Sequence, residues 1–469
     1  MRASQYVLAA LLGVALFVAP RIAFGGGPEE TGGAARAYTL EQAITEALAN
    51  HPRLRASAAV ESASEARIDE AKTAQLPDVG ISAQLNRSTS NTVPGALFPQ
   101  PGFVPIAGPT RGKTLEGGTW QTGASLWATW DVLSLARQAA AVDFAMAGRT
   151  EAGAATAARR LEIAYGAADA FVVLVEADEG VRAARAYVER AQVLATVTKS
   201  LVDQTLRPGA DSARADAELA SARTSLARAE QAREIRRAQL AEAVGNTSLS
   251  VDAAPGALLG PVDGIAARGA PPTSPSHPDI AVTSAGVARA AEARRLVDVE
   301  YLPRVDLVAA LWARGSGIFQ SPASGLVPDT ANWAAGAVVT WSFLDIPTIR
   351  ARARVAEANH HVAVAKRDDA TLAVSGQLAA ATAMLRGALN VAKQTPATLA
   401  AARTAEQQAA ARFKTGLSPI LDVADTQRIL TQAEIDDALA RLEVRRALLL
   451  LARASGDLAP FFAQIRGGP

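Results

Sequence analysis

From Leu133 to Thr205 the sequence contains no proline, and Leu161, Tyr165, Ala168, Val172 and Val175 trace one helical face along it. Some 70 residues of continuous helix span about 105 Å. No single compact domain houses a rod of that length. A second run, Ile349 to Phe413, is interrupted only by Pro396.

The rods belong to a tandem repeat. His51-Pro52 recurs as His277-Pro278 and Leu76-Pro77 as Leu302-Pro303, both at an offset of 226 (277−51). Thr129-Trp130 recurs as Thr340-Trp341, Asp211 as Asp422 and Gly245 as Gly456, all at an offset of 211 (340−129). The second copy is therefore 15 residues shorter between Pro303 and Trp341. Five landmarks on two constant offsets define a duplication. The spacing predicts repeats over 38–245 and 276–456, a Pro- and Gly-rich linker over 246–275, and a tail over 457–469.

Each copy opens on helix. Leu40, Ile44 and Leu48 share a face, and His51-Pro52 then starts a helix through about Gln75. His277-Pro278 starts the equivalent helix, and both histidines are expected at helix starts rather than on a metal. The period next changes to two. Val79, Ile81, Ala83 and Leu85 alternate with polar residues or glycine, and Trp120 to Trp130 does the same. Val305 to Leu311 and Trp333 to Phe343 repeat the pattern. We expect strands over about 77–90, 119–131, 303–314 and 332–344. Their length is that of strands crossing an outer membrane. All six tryptophans (Trp120, Trp127, Trp130, Trp312, Trp333 and Trp341) fall in these segments, as an interfacial girdle requires. The other reading is a β-sandwich with a tryptophan core, although the opposite faces lack the bulk for a second layer. Helical hairpins are expected over 133–245 and 346–456.

Composition closes several options. Lys+Arg 47 against Asp+Glu 46 gives no bulk charge for binding nucleic acid. No cysteine is present, so disulfides, thiolate metal sites and a cysteine-linked lipid anchor are excluded. Arg2, the apolar run Tyr6 to Ala19 and Ala23-Phe24-Gly25 read as a secretory signal peptide over 1–25, with an uncleaved anchor as the other reading. No Gly-x-Ser-x-Gly, P-loop or metal-spaced histidine cluster is present, so neither catalysis nor a cofactor is expected.

The turn Lys414 to Asp425 joins the two helices of the second hairpin. Gly416 and Pro419 break the helical pattern, and Asp422 and Asp425 then share a face of the outgoing first turn. Taken alone, two acids there suit the helix dipole as well as any further role.

Taken together, the His51-Pro52 and Leu76-Pro77 repeats, Trp130 and Trp341 ahead of the long helices, Pro208-Gly209-Ala210-Asp211-Ser212 and Gly416 to Asp425 resemble the TolC-like outer membrane factor family. The resemblance covers about Tyr38 to Gly456. It implies an α+β membrane protein whose homotrimer shares one 12-stranded barrel, four strands per chain, above an α-helical tunnel through the periplasm of a Gram-negative bacterium. It implies an exit duct for a tripartite efflux pump or type I secretion system. The implied partners are outer-membrane lipid, a periplasmic adaptor (membrane fusion) protein and an inner-membrane transporter of RND, ABC or MFS type. By the same resemblance Asp422 and Asp425 line the periplasmic gate, and Leu206, Arg207, Pro208, Gly209, Thr415, Gly416, Leu417 and Ser418 form the adaptor-docking tips. Ser418 stands where some members carry a basic latch residue. A secreted coiled-coil structural or adhesive protein is the competing reading. Chain geometry also favours a trimer, because four strands cannot close and open edges are not tolerated in lipid.

Overall fold

The computed structural model describes residues 36–88, 118–132, 135–205, 208–245, 251–262, 265, 276–316, 321 and 323–466. The expected signal segment, most of the first long loop, and Leu206 and Arg207 lie outside them. In chain order the elements are β1 (Arg36–Tyr38), α1 (Leu40–Asn50), α2 (Pro52–Thr73), β2 (Asp78–Ser88), β3 (Thr119–Asp131), α3 (Leu135–Asp203) and α4 (Gly209–Val244). There follow β4 (Val251–Ala253), α5 (Pro278–Asp298), β5 (Arg304–Ser316), β6 (Thr330–Thr340), α6 (Ile346–Lys414), α7 (Ile420–Ser455) and α8 (Ala459–Arg466).

Strands β2, β3, β5 and β6 form one antiparallel sheet in that order. Its register puts Ile81, Leu126, Leu311 and Trp333 side by side across all four strands. These side chains are 71, 44, 59 and 75% exposed. The next row, on the opposite face, is Ser82, Ser125, Trp312 and Asn332, and the Ser82 and Ser125 hydroxyls lie 2.8 Å apart. Period-two alternation has thus built a sheet with one apolar face open to its surroundings and one polar face. Among the described residues, β2 and β6 each keep one unpaired edge.

The helices α3 and α6 are each 69 residues, about 104 Å long. Along α3 run α2 and then α4 on one side, and α5 and then α7 on the other; α6 packs along α5 and α7. Two shorter helices therefore stack end to end beside each long one. At each junction a glycine in the left-handed region ends the incoming helix, Gly245 at φ 74 and Gly456 at φ 86. A histidine begins the next. His51 Nδ1 accepts from the Arg53 N–H and His277 Nδ1 from the Asp279 N–H, both at 3.2 Å. Pro52 and Pro278 occupy the following position, where no N–H is required. Both histidines are helix caps. Burial depresses the His51 pKa, with Arg53 adding to the effect.

The thickest core lies at the level of these junctions. Phe171, Val172, Leu174 and Val175 of α3 meet Leu240 and Val244 of α4 and Leu442 and Leu449 of α7. Around them sit α1, the parallel pair β1–β4, and Phe461 of α8. Arg446 of α7 bonds Asp169 of α3 at 2.7 Å, and Arg233 of α4 reaches Asp178 at 2.5 Å and Asp252 at 2.9 Å. The stretches read from sequence as linker and tail both contribute to this collar, through β4 and α8. Among the described residues, by length and composition one helix, Phe343–Lys414, reaches the apolarity of a membrane span, but it is the packing partner of α5 and α7.

Candidate functional site

The site is the pair of hairpin tips, at the opposite end of the rods from the sheet. In the second hairpin, α6 ends in a Schellman motif: Gly416 N–H donates to the Phe413 carbonyl at 3.0 Å and Leu417 N–H to the Arg412 carbonyl at 2.8 Å. Gly416 has φ 77, which a Cβ disfavours. Pro419 then caps α7. The turn buries Ser418 and Ile420 while leaving Leu417 and Leu421 exposed. Asp422 and Asp425 are both exposed in the first turns of α7, and Asp425 pairs with Arg428 one turn on.

In the first hairpin α3 ends at Asp203, and α4 begins after Pro208, whose neighbour Gly209 is exposed. Leu206 and Arg207 lie outside the described residues. Thr205, the repeat equivalent of Gly416, holds φ 63. A β-branched residue there is strained. Of the tip residues expected from sequence, Pro208 and Thr415 to Ser418 fall in the two turns, and Gly209 opens α4.

The tips pack on each other. Phe413, Ile420 and Val423 from the second hairpin bury against Tyr187, Leu194 and Leu219 of the first. Polar contacts tie the two together just behind the tips. Arg190 of α3 donates to Thr431 Oγ1 at 2.8 Å and Glu434 Oε2 at 3.0 Å, both on α7. Tyr187 donates to Glu218 within the first hairpin. Burial and then that bond push the Tyr187 hydroxyl far above its ordinary pKa, and Arg428 and Arg190 act against the rise. The Asp425–Arg428 pair on one hairpin thus faces Tyr187 and Glu218 on the other. None of Arg190, Tyr187, Glu218, Arg428, Thr431 or Glu434 was found from sequence. The one available signal was the failure of the repeat: Arg190 corresponds to Ala401, and Glu434 to Arg223.

The register divides the tryptophans between the two faces of the sheet. Trp120, Trp130 and Trp333 share the apolar face, whereas Trp127 and Trp312 occupy the polar one. The cause is strand parity: Trp127 is an odd number of residues from both Trp120 and Trp130. A side chain on Gly80 would collide with the Trp127 ring, so that glycine is what lets the indole lie flat across the strand. Trp341 follows the end of β6 and is exposed.

A sheet with an open apolar face, standing on two helical hairpins each about 100 Å long, defines a membrane-embedded conduit protein. The family model described as outer membrane efflux protein matches residues 43–246 and 275–457, and the chain belongs to that family. Its place is the outer membrane, and the class of its family is a channel. The fold is that of several solved channels. VceC of Vibrio cholerae is 19% identical, with a TM-score of 0.69 over 89% of this chain and 96% of its own. CusC is 15% identical, with a TM-score of 0.73 over 93% and 96%. The MtrE outer membrane channel of Neisseria gonorrhoeae, solved in its open state, is 19% identical, with a TM-score of 0.68 over 89% of both chains. Comparison with curated protein sequences finds no significant match.

Proposed function

We propose that three copies of this chain close a 12-stranded barrel and a continuous helical tunnel, the passive exit duct of a tripartite efflux assembly. The observation that carries this reading is the apolar row Ile81–Leu126–Leu311–Trp333, exposed on a sheet with two free edges. Lipid is the solvent that such a face fits, and ring closure is what removes the edges. A secreted coiled-coil adhesin has no use for that face. Trp120 and Trp130, near the two ends of β3, suit the membrane interface, while Trp127 and Trp312 suit the lumen wall. A periplasmic adaptor docks on the tips around Leu206–Gly209 and Thr415–Ser418, where exposed Leu417 offers an apolar contact. The adaptor links the duct to an inner-membrane transporter, which supplies energy and substrate choice.

The gate lies at the tips. Three copies of Asp422 and Asp425 bring six carboxylates around one axis, where multivalent cations are held far more strongly than monovalent ones. In planar-bilayer recordings, Asp422→Ala with Asp425→Ala is expected to reduce cation selectivity and relieve block by trivalent cations. Undiminished block in the double variant removes these residues from the gate.

Arg190 adds a polar contact between the second hairpin and the first, just behind the buried cluster at the tips. Arg190→Ala removes a two-acceptor, partly buried charge contact, worth about 1–3 kcal/mol per copy, and leaves Glu434 unpaired. Single-channel conductance from the periplasmic side is expected to rise. A variant that stays at wild-type conductance assigns closure to another contact.

A further inference from the structure

The two helix junctions are repeats of each other, yet one is filled and the other is hollow. At the second, Leu378 and Ala381 of α6 bury against Ala454 of α7, and Leu450 and Leu451 pack on them. Through the offset of 211 (378−167 and 450−239), Leu378 corresponds to Ala167 and Leu450 to Gln239. The first junction thus lacks two leucine side chains that fill the second. A recess with a volume of about 690 Å³ lies there, between α3, the end of α4, the start of α2 and Arg453 of α7. Ile163, Ala167 and Ala243 form its apolar part.

The recess opens on the side of the wall away from the collar. On α3, Ala164, Ala168, Phe171 and Val175 belong to the collar core, while Glu162 and Gly166, which line the recess, lie on the opposite side of the helix. On α7 the exposed stripe Asp425, Gln432, Asp436 and Glu443 climbs to the same level, opposite the buried Leu448 and Ala452. A tunnel with Asp425 on its axis therefore has this recess in its lumen wall.

The charges of the recess are not paired off. Arg453 lies over the Tyr165 ring, 4.6 Å from its centroid, and Arg53 stands exposed at the start of α2. Among the described residues neither makes an ion pair with a carboxylate. Glu162 is held by Arg159 at 2.5 Å. That leaves Glu242 as the one acid of the lining without an ion pair, so two guanidiniums stand against one carboxylate. His51, which caps α2 through Nδ1 and whose pKa burial depresses, adds no charge. Burial raises the Tyr165 pKa and Asp169 adds to the rise, so its hydroxyl stays protonated. The second junction repeats none of this: Tyr165 corresponds to Gly376 and Arg53 to Asp279.

We propose that this recess binds amphipathic organic anions, aromatic carboxylates or sulfonates, on their way through the tunnel. The anionic group takes the guanidiniums of Arg453 and Arg53, whose planar forks match a carboxylate or sulfonate. The ring of the guest covers Ile163, Ala167 and Ala243. A site left open on one side, with Glu242 opposing the two arginines, holds such a guest and also releases it, as a conduit requires. The proposal rests on the reading of the chain as a duct and adds a substrate class to it.

Calorimetry on the full chain in lipid nanodiscs, with naphthalenesulfonate as the probe, is expected to show saturable binding. Arg453→Ala and Arg53→Ala should each weaken it roughly tenfold. Gln239→Leu, which restores the leucine of the second junction, should weaken it without changing any charge. Benzyltrimethylammonium, an aromatic cation, should not bind. Arg53 is exposed, so its variant keeps the test decisive even where Arg453→Ala disturbs folding. Equal binding of the two aromatics, or undiminished binding by Arg53→Ala, overturns the site. So does a natural chain that conducts in planar bilayers yet binds no naphthalenesulfonate, and the duct reading then stands. A natural chain that forms no conducting oligomer overturns both.

Discussion

Leu126→Arg should abolish assembly in the outer membrane. Leu126 sits mid-strand in β3, between Ile81 and Leu311 in the apolar row. An arginine at the bilayer midplane of a barrel costs about 2–4 kcal/mol. With one in each of three copies, the assembled duct loses about 6–12 kcal/mol, comparable to the whole stability of an ordinary domain. The expected result is loss of the heat-resistant oligomer from the outer-membrane fraction, with the chain recovered as a protease-sensitive monomer. Asn332→Arg is the control, because Asn332 is one row away on the polar face and next to Trp333 in sequence. That variant should assemble and alter only ion selectivity. If both variants assembled equally well, the apolar row could not be facing lipid.

The second large effect is expected from Gly456→Val. Gly456 ends α7 with φ 86, and its amide donates to the Arg453 carbonyl at 3.0 Å. A side chain there pays about 1–2 kcal/mol for the left-handed backbone. It also meets His277 Cδ2 at 2.9 Å and Pro278 Cδ at 3.0 Å. His277 is almost fully buried and cannot swing aside, so overpacking adds about 1–3 kcal/mol. Gly416→Ala is the comparison. It has the same backbone handedness at φ 77 but open space around it, so only the backbone cost of about 1–2 kcal/mol applies. Thermal unfolding in detergent should separate the two clearly, with Gly456→Val the less stable. Equal losses would mean that the junction has room to give.

The architecture was legible in sequence because its signals are long and local. A proline-free run writes a rod, and strict alternation writes a strand with unlike faces. Five landmarks on two constant offsets marked the duplication. The turn at Gly416 to Asp425 was readable for the same reason, since glycine and proline punctuate it. The collar was not readable. Strands β1 and β4 are three residues each, and their pairing joins Arg36 to Val251, far apart in the chain. Nor could local pattern supply Arg190 with its acceptors on the other hairpin. The tryptophans are a different case. Their parity was present in the sequence, but grouping them by position along the strands concealed that Trp127 and Trp312 point the other way.

The stacked helices have a mechanical consequence. Of the four rods that each copy gives to the wall, α3 and α6 are continuous, while α2–α4 and α5–α7 are butt joints held by caps and side chains. A tube built this way carries axial load on its unbroken members and bends most easily where the joints coincide. All the joints lie at the level of the thickest core, bound by β1–β4, α1 and α8. The collar acts as a splint across them.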